Sequence, residues 1–287
     1  MCGSGKALRL ARIMSGPNGR AACLAFDHGL HIGPIAGNER PHEMIDAAIK
    51  AQLDAILLSP GLLSAHADRL AGRDKPAIIL RLDQTSMWRI GRPGGYATGH
   101  TRAISTVEEA VRMGADAVIT YVFTSHNDPA LENRSVDVAA TAAQDARRLG
   151  IPMIMEPMAA RGGLVEDVAD AAVIAANTRM AMELGADIVK TDWSNDPATF
   201  AGVVATTGVP ILVAGGPQTG GDADVLAMVD DVLDAGAAGI LFGRQLIQAS
   251  DPAGVMRAAR DRIHGAASPA RETTAGRRRT AKKKVAG

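Results

Sequence analysis

Eight short, almost wholly apolar runs recur along the chain: Ala21–Asp27, Ala55–Ser59, Ala77–Asp83, Ala117–Phe123, Pro152–Met158, Ala186–Asp192, Val209–Gly215 and Gly239–Arg244. They are rich in Val, Ile and Leu and lack the polar alternation of a strand with one wet face. Each therefore predicts a parallel strand covered on both sides. Between them lie amphipathic stretches at helical spacing: Pro41–Gln52, Thr106–Met113, Val136–Leu149, Val165–Leu184 and Asp222–Ala235. Several helices end on one punctuation before the next strand, as in Met113-Gly-Ala-Asp116, Leu184-Gly-Ala-Asp187 and Ala235-Gly-Ala-Ala238. Glycine just past a helix end takes the left-handed conformation that closes it. Eight strand–helix units predict a (β/α)8 TIM barrel as a single domain over 1–265. The alternative, a doubly wound open sheet, requires a reversal of strand order.

Two segments depart from this rhythm. Gln84–Thr101 follows the third strand and carries Ile90-Gly-Arg-Pro-Gly-Gly-Tyr96 with Trp88, Arg89 and Arg92, which suits a substrate lid, an oligomer contact or an ordinary surface loop. From Ala266 to Gly287 the chain is low in complexity, with Arg277-Arg-Arg279 and Lys282-Lys-Lys284, and is expected to be a disordered basic tail. Nucleic acid is a conceivable partner only through this tail, because Lys+Arg and Asp+Glu balance at 31 each.

Composition narrows the class further. The 287 residues are 47% hydrophobic but only 3% aromatic, so the core must be built from Ala, Val, Ile, Leu and Met. There are two cysteines, of which Cys2 sits in a terminus expected to be floppy, so no disulfide framework is expected. No signal peptide and no apolar run near the length of a membrane span is visible, which predicts a cytoplasmic protein without membrane partners. No metal-binding motif stands out, and neither a metal nor a cofactor is expected.

The chemistry is carried by polar residues that interrupt the apolar runs. Lys190 lies in Gly185-Ala-Asp-Ile-Val-Lys-Thr-Asp192, near a strand end. Burying an ammonium is costly, and a lysine so placed at a barrel mouth has the makings of a Schiff-base nucleophile. The plainer alternatives are a lysine reaching solvent or pairing with Asp187 or Asp192. Asp27, in Phe26-Asp-His-Gly29, and Glu156, in Met155-Glu-Pro-Met158, end the first and fifth strands and are candidates for proton transfer. Glu156 serves that role only if it faces the mouth. His28, Asp83 and Tyr121 are candidate substrate contacts, His31 and Thr124 lesser ones. Asp83 is preferred over Arg81 as the mouth residue of strand three, and alternation does not decide between Tyr121 and Val122 on strand four. The seventh and eighth strands end in Val213-Ala-Gly-Gly-Pro217 and Leu241-Phe-Gly-Arg-Gln245. Gly215, Gly216 and Gly243 allow close backbone approach to an anion, and Arg244 supplies charged donors, so these four form a candidate phosphate cradle.

With these motifs in matching order over residues 20–260, the chain resembles the archaeal-type class I fructose-bisphosphate aldolases. Their wider family, the deoxyribose-phosphate aldolase and archaeal aldolase family, also includes an autoinducer-2 phospho-dione thiolase and an aminodideoxyheptulosonate synthase. The resemblance implies a metal-independent barrel with Lys190 as the Schiff-base lysine, Asp27 as the strand-one carboxylate, and Gly215, Gly216, Gly243 and Arg244 on the substrate phosphate. It also implies a homo-oligomer, a pentamer or a decamer. Fructose-bisphosphate members carry a tryptophan and a proton-donating tyrosine after strand five. This chain has no tyrosine there, whereas tagatose-bisphosphate-type aldolases place a glutamate on that strand, as Glu156 is placed here. The expected activity is aldol cleavage or formation in a phosphorylated ketose such as fructose 1,6-bisphosphate or a related sugar phosphate. Two alternatives stand beside it. One is a thiolase or transaldolase-like synthase acting on a phosphorylated dione or sugar through the same lysine. The other is a non-catalytic barrel that binds phosphosugar or nucleic acid.

Overall fold

The computed structural model describes residues 3–218 and 220–265; the basic tail and Cys2 lie outside the described residues. Among the described residues ten strands form in chain order: β1 Ala21–Ala25, β2 Ala55–Leu58, β3 Ala77–Arg81, β4 Asp83–Thr85, β5 Thr101–Ala103, β6 Ala117–Thr124, β7 Met153–Ala159, β8 Ile188–Thr191, β9 Ile211–Val213 and β10 Gly239–Phe242. Eight of them close a parallel barrel in the order β1-β2-β3-β6-β7-β8-β9-β10, with β10 returning to β1. These are the eight runs expected from the apolar pattern, and the open-sheet alternative falls with closure. At the seam Gly239 faces Ala21, and a Cβ there would lie 2.0 Å from the Ala21 carbonyl oxygen, so the register requires glycine. The helix-ending glycines behave as expected: Gly114, Gly150, Gly185, Gly208 and Gly236 all have positive φ. Among the described residues no helix is long and apolar enough to cross a membrane.

Strand side chains alternate between an inner and an outer core. Ala21, Cys23, Ala55, Leu57, Ile79, Ile119, Ile154, Ile188, Leu212 and Leu241 belong to the cluster inside the barrel. The alternate set, including Leu24, Ile56, Val118, Val122 and Val189, packs outward with the helices.

Two findings differ from the sequence expectation. The chain before the first run forms a helix that the apolar pattern did not predict: Ser4–Ile13 seals the N-terminal end of the barrel. Ile13 joins the inner core, Lys6 pairs with Asp187 at 2.7 Å, and Arg12 pairs with Asp116 at 2.6 Å. These aspartates also tie strands together, since Asp116 accepts from the Ile78 N–H and Asp187 from the Met153 N–H. Asp54 does the same for Ala22 and also bonds Ser15 and His264. In addition, Gln84–Thr101 is not wholly loop. Its ends pair as the antiparallel β4–β5 ribbon, placing Met87 and Trp88 against Tyr121, Phe123 and Met158.

Candidate active site

The inward rungs of four barrel strands change from apolar to polar toward the C-terminal ends. On β3 Ala77 and Ile79 are followed by Arg81. On β6 Ala117 and Ile119 are followed by Tyr121. On β7 Ile154 is followed by Glu156 and Met158, and on β8 Ile188 is followed by Lys190, with Asp192 just past the strand end. The upper rungs surround a cavity of about 490 Å³, at the face where barrels carry their active sites. Asp27, His28, Tyr121, Glu156, Lys190, Gly215, Gly216, Gly243 and Arg244 all line it. Period-2 alternation resolves the strand-four ambiguity: Tyr121 lines the cavity and Val122 packs outward.

Lys190 is buried, and its Nζ lies 2.7 Å from Glu156 Oε1. Of the two aspartates that might have held it, Asp187 sits at the opposite barrel end with Lys6. Glu156 faces the mouth, and its second oxygen accepts from Arg81 Nη2 at 2.5 Å. Arg81, with no exposed surface, lies beneath the cavity as a hub. Its Nε donates to Asp27 Oδ2 at 2.7 Å, Nη1 reaches Asp83 Oδ1 at 3.5 Å, and its guanidinium sits 3.9 Å from the Tyr121 ring centroid. Charges of alternating sign thus run Asp27–Arg81–Glu156–Lys190.

This arrangement sorts the ionisable groups. Burial opposes the charge of Glu156, but Lys190 and then Arg81 hold its carboxyl below the usual range. Burial likewise opposes Asp27, yet Arg81, with His31 and Lys190, holds it well below the usual range. Asp83 behaves oppositely. Burial outweighs Arg81 and pushes it up to about 7. It is fully buried, its Oδ2 accepts the Tyr121 N–H at 2.8 Å, and it does not line the cavity. The expectation that Asp83 rather than Arg81 reaches the mouth is therefore corrected: both lie on the inward face, and both stop below the opening. Burial, and then the Glu156 charge, also push Asp192 up to about 6. Burial keeps Tyr121 well above the usual phenol value, so it remains protonated, with its oxygen accepting the Trp88 Nε1–H at 3.1 Å. Burial drives His28 down to about 4 against the pull of Asp27, helped by Lys190 and Arg244, so the imidazole is neutral at physiological pH. His31 Nδ1 accepts the Thr85 N–H, leaving Nε2 facing Asp27 at 3.5 Å.

The glycine turns after β9 and β10 meet at one side of the cavity. Gln245 Nε2 bonds the carbonyls of Gly215 and Pro217 and so fixes the first turn, while Gly216 has φ +64°. The N–H groups of Gly215 and Gly216 have no acceptor among the described residues. A Cβ on Gly243 would lie 2.1 Å from His28 Cε1, so only glycine lets the backbone pass there. Arg244 is half-buried, and burial together with the charges of Arg161 and Arg92 pulls it below the usual arginine value. Arg92, Arg161 and Arg244 gather three guanidinium groups at one mouth, which favours an anionic ligand. Arg161 was not legible in the sequence. It lies just beyond β7 and stacks 4.8 Å from the Trp88 ring, a contact between segments more than seventy positions apart.

Comparison with known proteins places the chain among aldolases. The profile of the DeoC/LacD family aldolases matches residues 21–249. An uncharacterized aldolase of Saccharolobus solfataricus is 34% identical over 260 residues, covering 91% of this chain and 94% of that one. The 2-amino-4,5-dihydroxy-6-oxo-7-(phosphonooxy)heptanoate synthase of Streptomyces griseus is 31% identical over 259 residues, 90% of each chain. The structure of an archaeal fructose-1,6-bisphosphate aldolase, with its catalytic lysine covalently bound to the carbinolamine intermediate of the substrate, superposes with a TM-score of 0.78 at 28% identity. That match covers 91% of this chain and all of the other.

Proposed function

Because the chain belongs to the DeoC/LacD family of aldolases and is an enzyme of the class I, lysine Schiff-base type, we propose that Lys190 carries the reaction and that the substrate is a phosphorylated ketose. Fructose 1,6-bisphosphate and related sugar phosphates are the first compounds to try. The observation that carries this reading is the 2.7 Å contact between Lys190 Nζ and Glu156 Oε1 inside the cavity. Lys190 adds to the ketone carbon, and Glu156 carries two protons in turn from the nitrogen to the former carbonyl oxygen. The first makes the carbinolamine hydroxyl and the second lets it leave as water. The resulting iminium accepts the electron pair of the adjacent C–C bond. Asp27 or Glu156 removes the hydroxyl proton as that bond opens to an aldehyde and an enamine. Gly215, Gly216, Gly243 and Arg244 hold the phosphate, and His28, as a neutral imidazole, contacts the sugar hydroxyls.

A second reading keeps Lys190 and replaces aldol cleavage with a synthase or thiolase reaction on a phosphorylated dione or sugar. It is favoured by β7 itself, Met153–Ala159, which carries Glu156 and no tyrosine. We further propose a cytoplasmic homo-oligomer, checked by light scattering on the full chain.

Incubation with dihydroxyacetone phosphate, fructose 1,6-bisphosphate or a phosphorylated dione, followed by borohydride reduction and peptide mapping, tests the reading. A stable adduct on Lys190 is expected, and the compound that forms it separates the two substrate classes. An adduct on another residue would overturn the assignment.

A further inference from the structure

Aldol cleavage leaves an enamine that must gain a proton at carbon, and the groups nearest the lysine are poorly suited to supply it. Both oxygens of Glu156 are taken, one by Arg81 and one by Lys190. Asp27 is bound to Arg81 and held ionised. Asp83 has no surface on the cavity. Glu156 passes protons between nitrogen and oxygen while the adduct forms, but a carboxylate engaged by cations returns to its ionised form and holds no proton ready for carbon.

Asp192 is different. It lies two residues beyond Lys190, immediately past the end of β8, and lines the same cavity. No hydrogen bond or ion pair joins its carboxyl to any described residue. The charged groups felt there are Glu156 from β7, Lys190 below it, Arg161 beyond β7 and Arg244 beyond β10. A structural aspartate would be expected to cap a helix, bind a backbone N–H or pair with one of these arginines, and Asp192 does none of these. From this placement we infer that Asp192 is a catalytic residue, the acid that protonates the enamine carbon and, in the synthetic direction, the base that removes that proton.

The step balances within the site. The O–H bond of Asp192 breaks and a C–H bond forms from the enamine C=C pair. The nitrogen lone pair restores the C=N bond of the iminium, and the carboxylate is reprotonated by water entering the cavity mouth. An elevated value of about 6 leaves Asp192 partly protonated near neutrality, as such a role requires. A phosphate seated by Arg244 and the glycine turns adds negative charge nearby and favours the protonated form further.

The inference rests on the phosphorylated-ketose reading, and one experiment separates the two. The wild-type protein, Asp192→Asn, Asp192→Glu, Glu156→Gln and Tyr121→Phe are each mixed with dihydroxyacetone phosphate in deuterium oxide. Deuterium entering the ketone's α-carbon is followed by NMR, and the lysine adduct is trapped in parallel with borohydride. Asp192→Asn is expected to keep the Lys190 adduct but lose about a hundredfold in exchange, with Asp192→Glu recovering part of the loss. Adduct formation with undiminished exchange in Asp192→Asn overturns the assignment, as does loss of exchange confined to Tyr121→Phe or Glu156→Gln. No adduct with the wild-type protein overturns the substrate reading itself, and the role of Asp192 with it.

Discussion

The residue that organises this site is Arg81. A fully buried guanidinium survives inside a barrel only because three acidic side chains and an aromatic face replace its water. Removing it would leave Asp27 without its main compensating charge and Glu156 with Lys190 alone. Arg81→Met is therefore expected to destabilise the fold by roughly 3–5 kcal/mol, seen as a clear drop in melting temperature. Arg81→Lys restores a charge but not a planar fork reaching three partners, so it should recover stability only in part. Lys190→Met behaves differently. It removes the adduct-forming amine while Glu156 keeps Arg81, so borohydride trapping should vanish and the melting temperature should change by only a few degrees. Retained trapping in that variant would show that another amine does the chemistry.

At the scale of elements, the barrel separates a stabilising end from a reacting end. The Ser4–Ile13 helix closes one end through Lys6–Asp187 and Arg12–Asp116, while Lys190 and its partners occupy the other. Asp187→Ala would strand the buried Lys6 and remove the acceptor of the Met153 N–H. It should lower stability by about 3 kcal/mol, yet leave the Lys190 adduct intact at 25 °C, as thermal denaturation and trapping on the same sample would show. Loss of the adduct at a temperature where the variant is folded would mean the two ends are coupled. The division also explains what the sequence disclosed. Strands sheathed by helices must be continuously apolar, so all eight runs were readable, and so were Lys190, Glu156 and Asp27 as interruptions of them. The sealing helix was not. Its Lys6, Arg9 and Arg12 follow helical spacing but resemble a solvated face, and only a partner aspartate more than a hundred positions away reveals otherwise for Lys6 and Arg12. Arg81 and Asp83 are two apart in the one run Ala77–Asp83, so alternation gives both the same face. Their depth below the mouth is set by how far the barrel extends, which no local pattern encodes.

For the whole molecule, the same buried charges tie stability to pH. Asp27 and Glu156 have folded values below their unfolded ones, so they stabilise above the unfolded range, and that contribution is lost as pH falls through the depressed values. His28, near 4 when folded, also favours the fold at neutrality and withdraws that support as pH falls below its unfolded value of about 6.5. Asp83 has the opposite sign. Its folded value of about 7 lies above the unfolded 3.8, so its contribution is present at low pH and is lost as pH rises through about 7. Above that point the fold must either ionise a fully buried acid or hold its proton against the solvent. Asparagine mimics the protonated acid in shape and removes that demand, and its side-chain oxygen still accepts the Tyr121 N–H. Asp83→Asn should therefore raise the melting temperature relative to wild type at pH 8.5, by several degrees, and by less at pH 5. A gain that is equal at both values, or larger at pH 5, would mean that Asp83 is ionised throughout and that Arg81 holds three carboxylates rather than two.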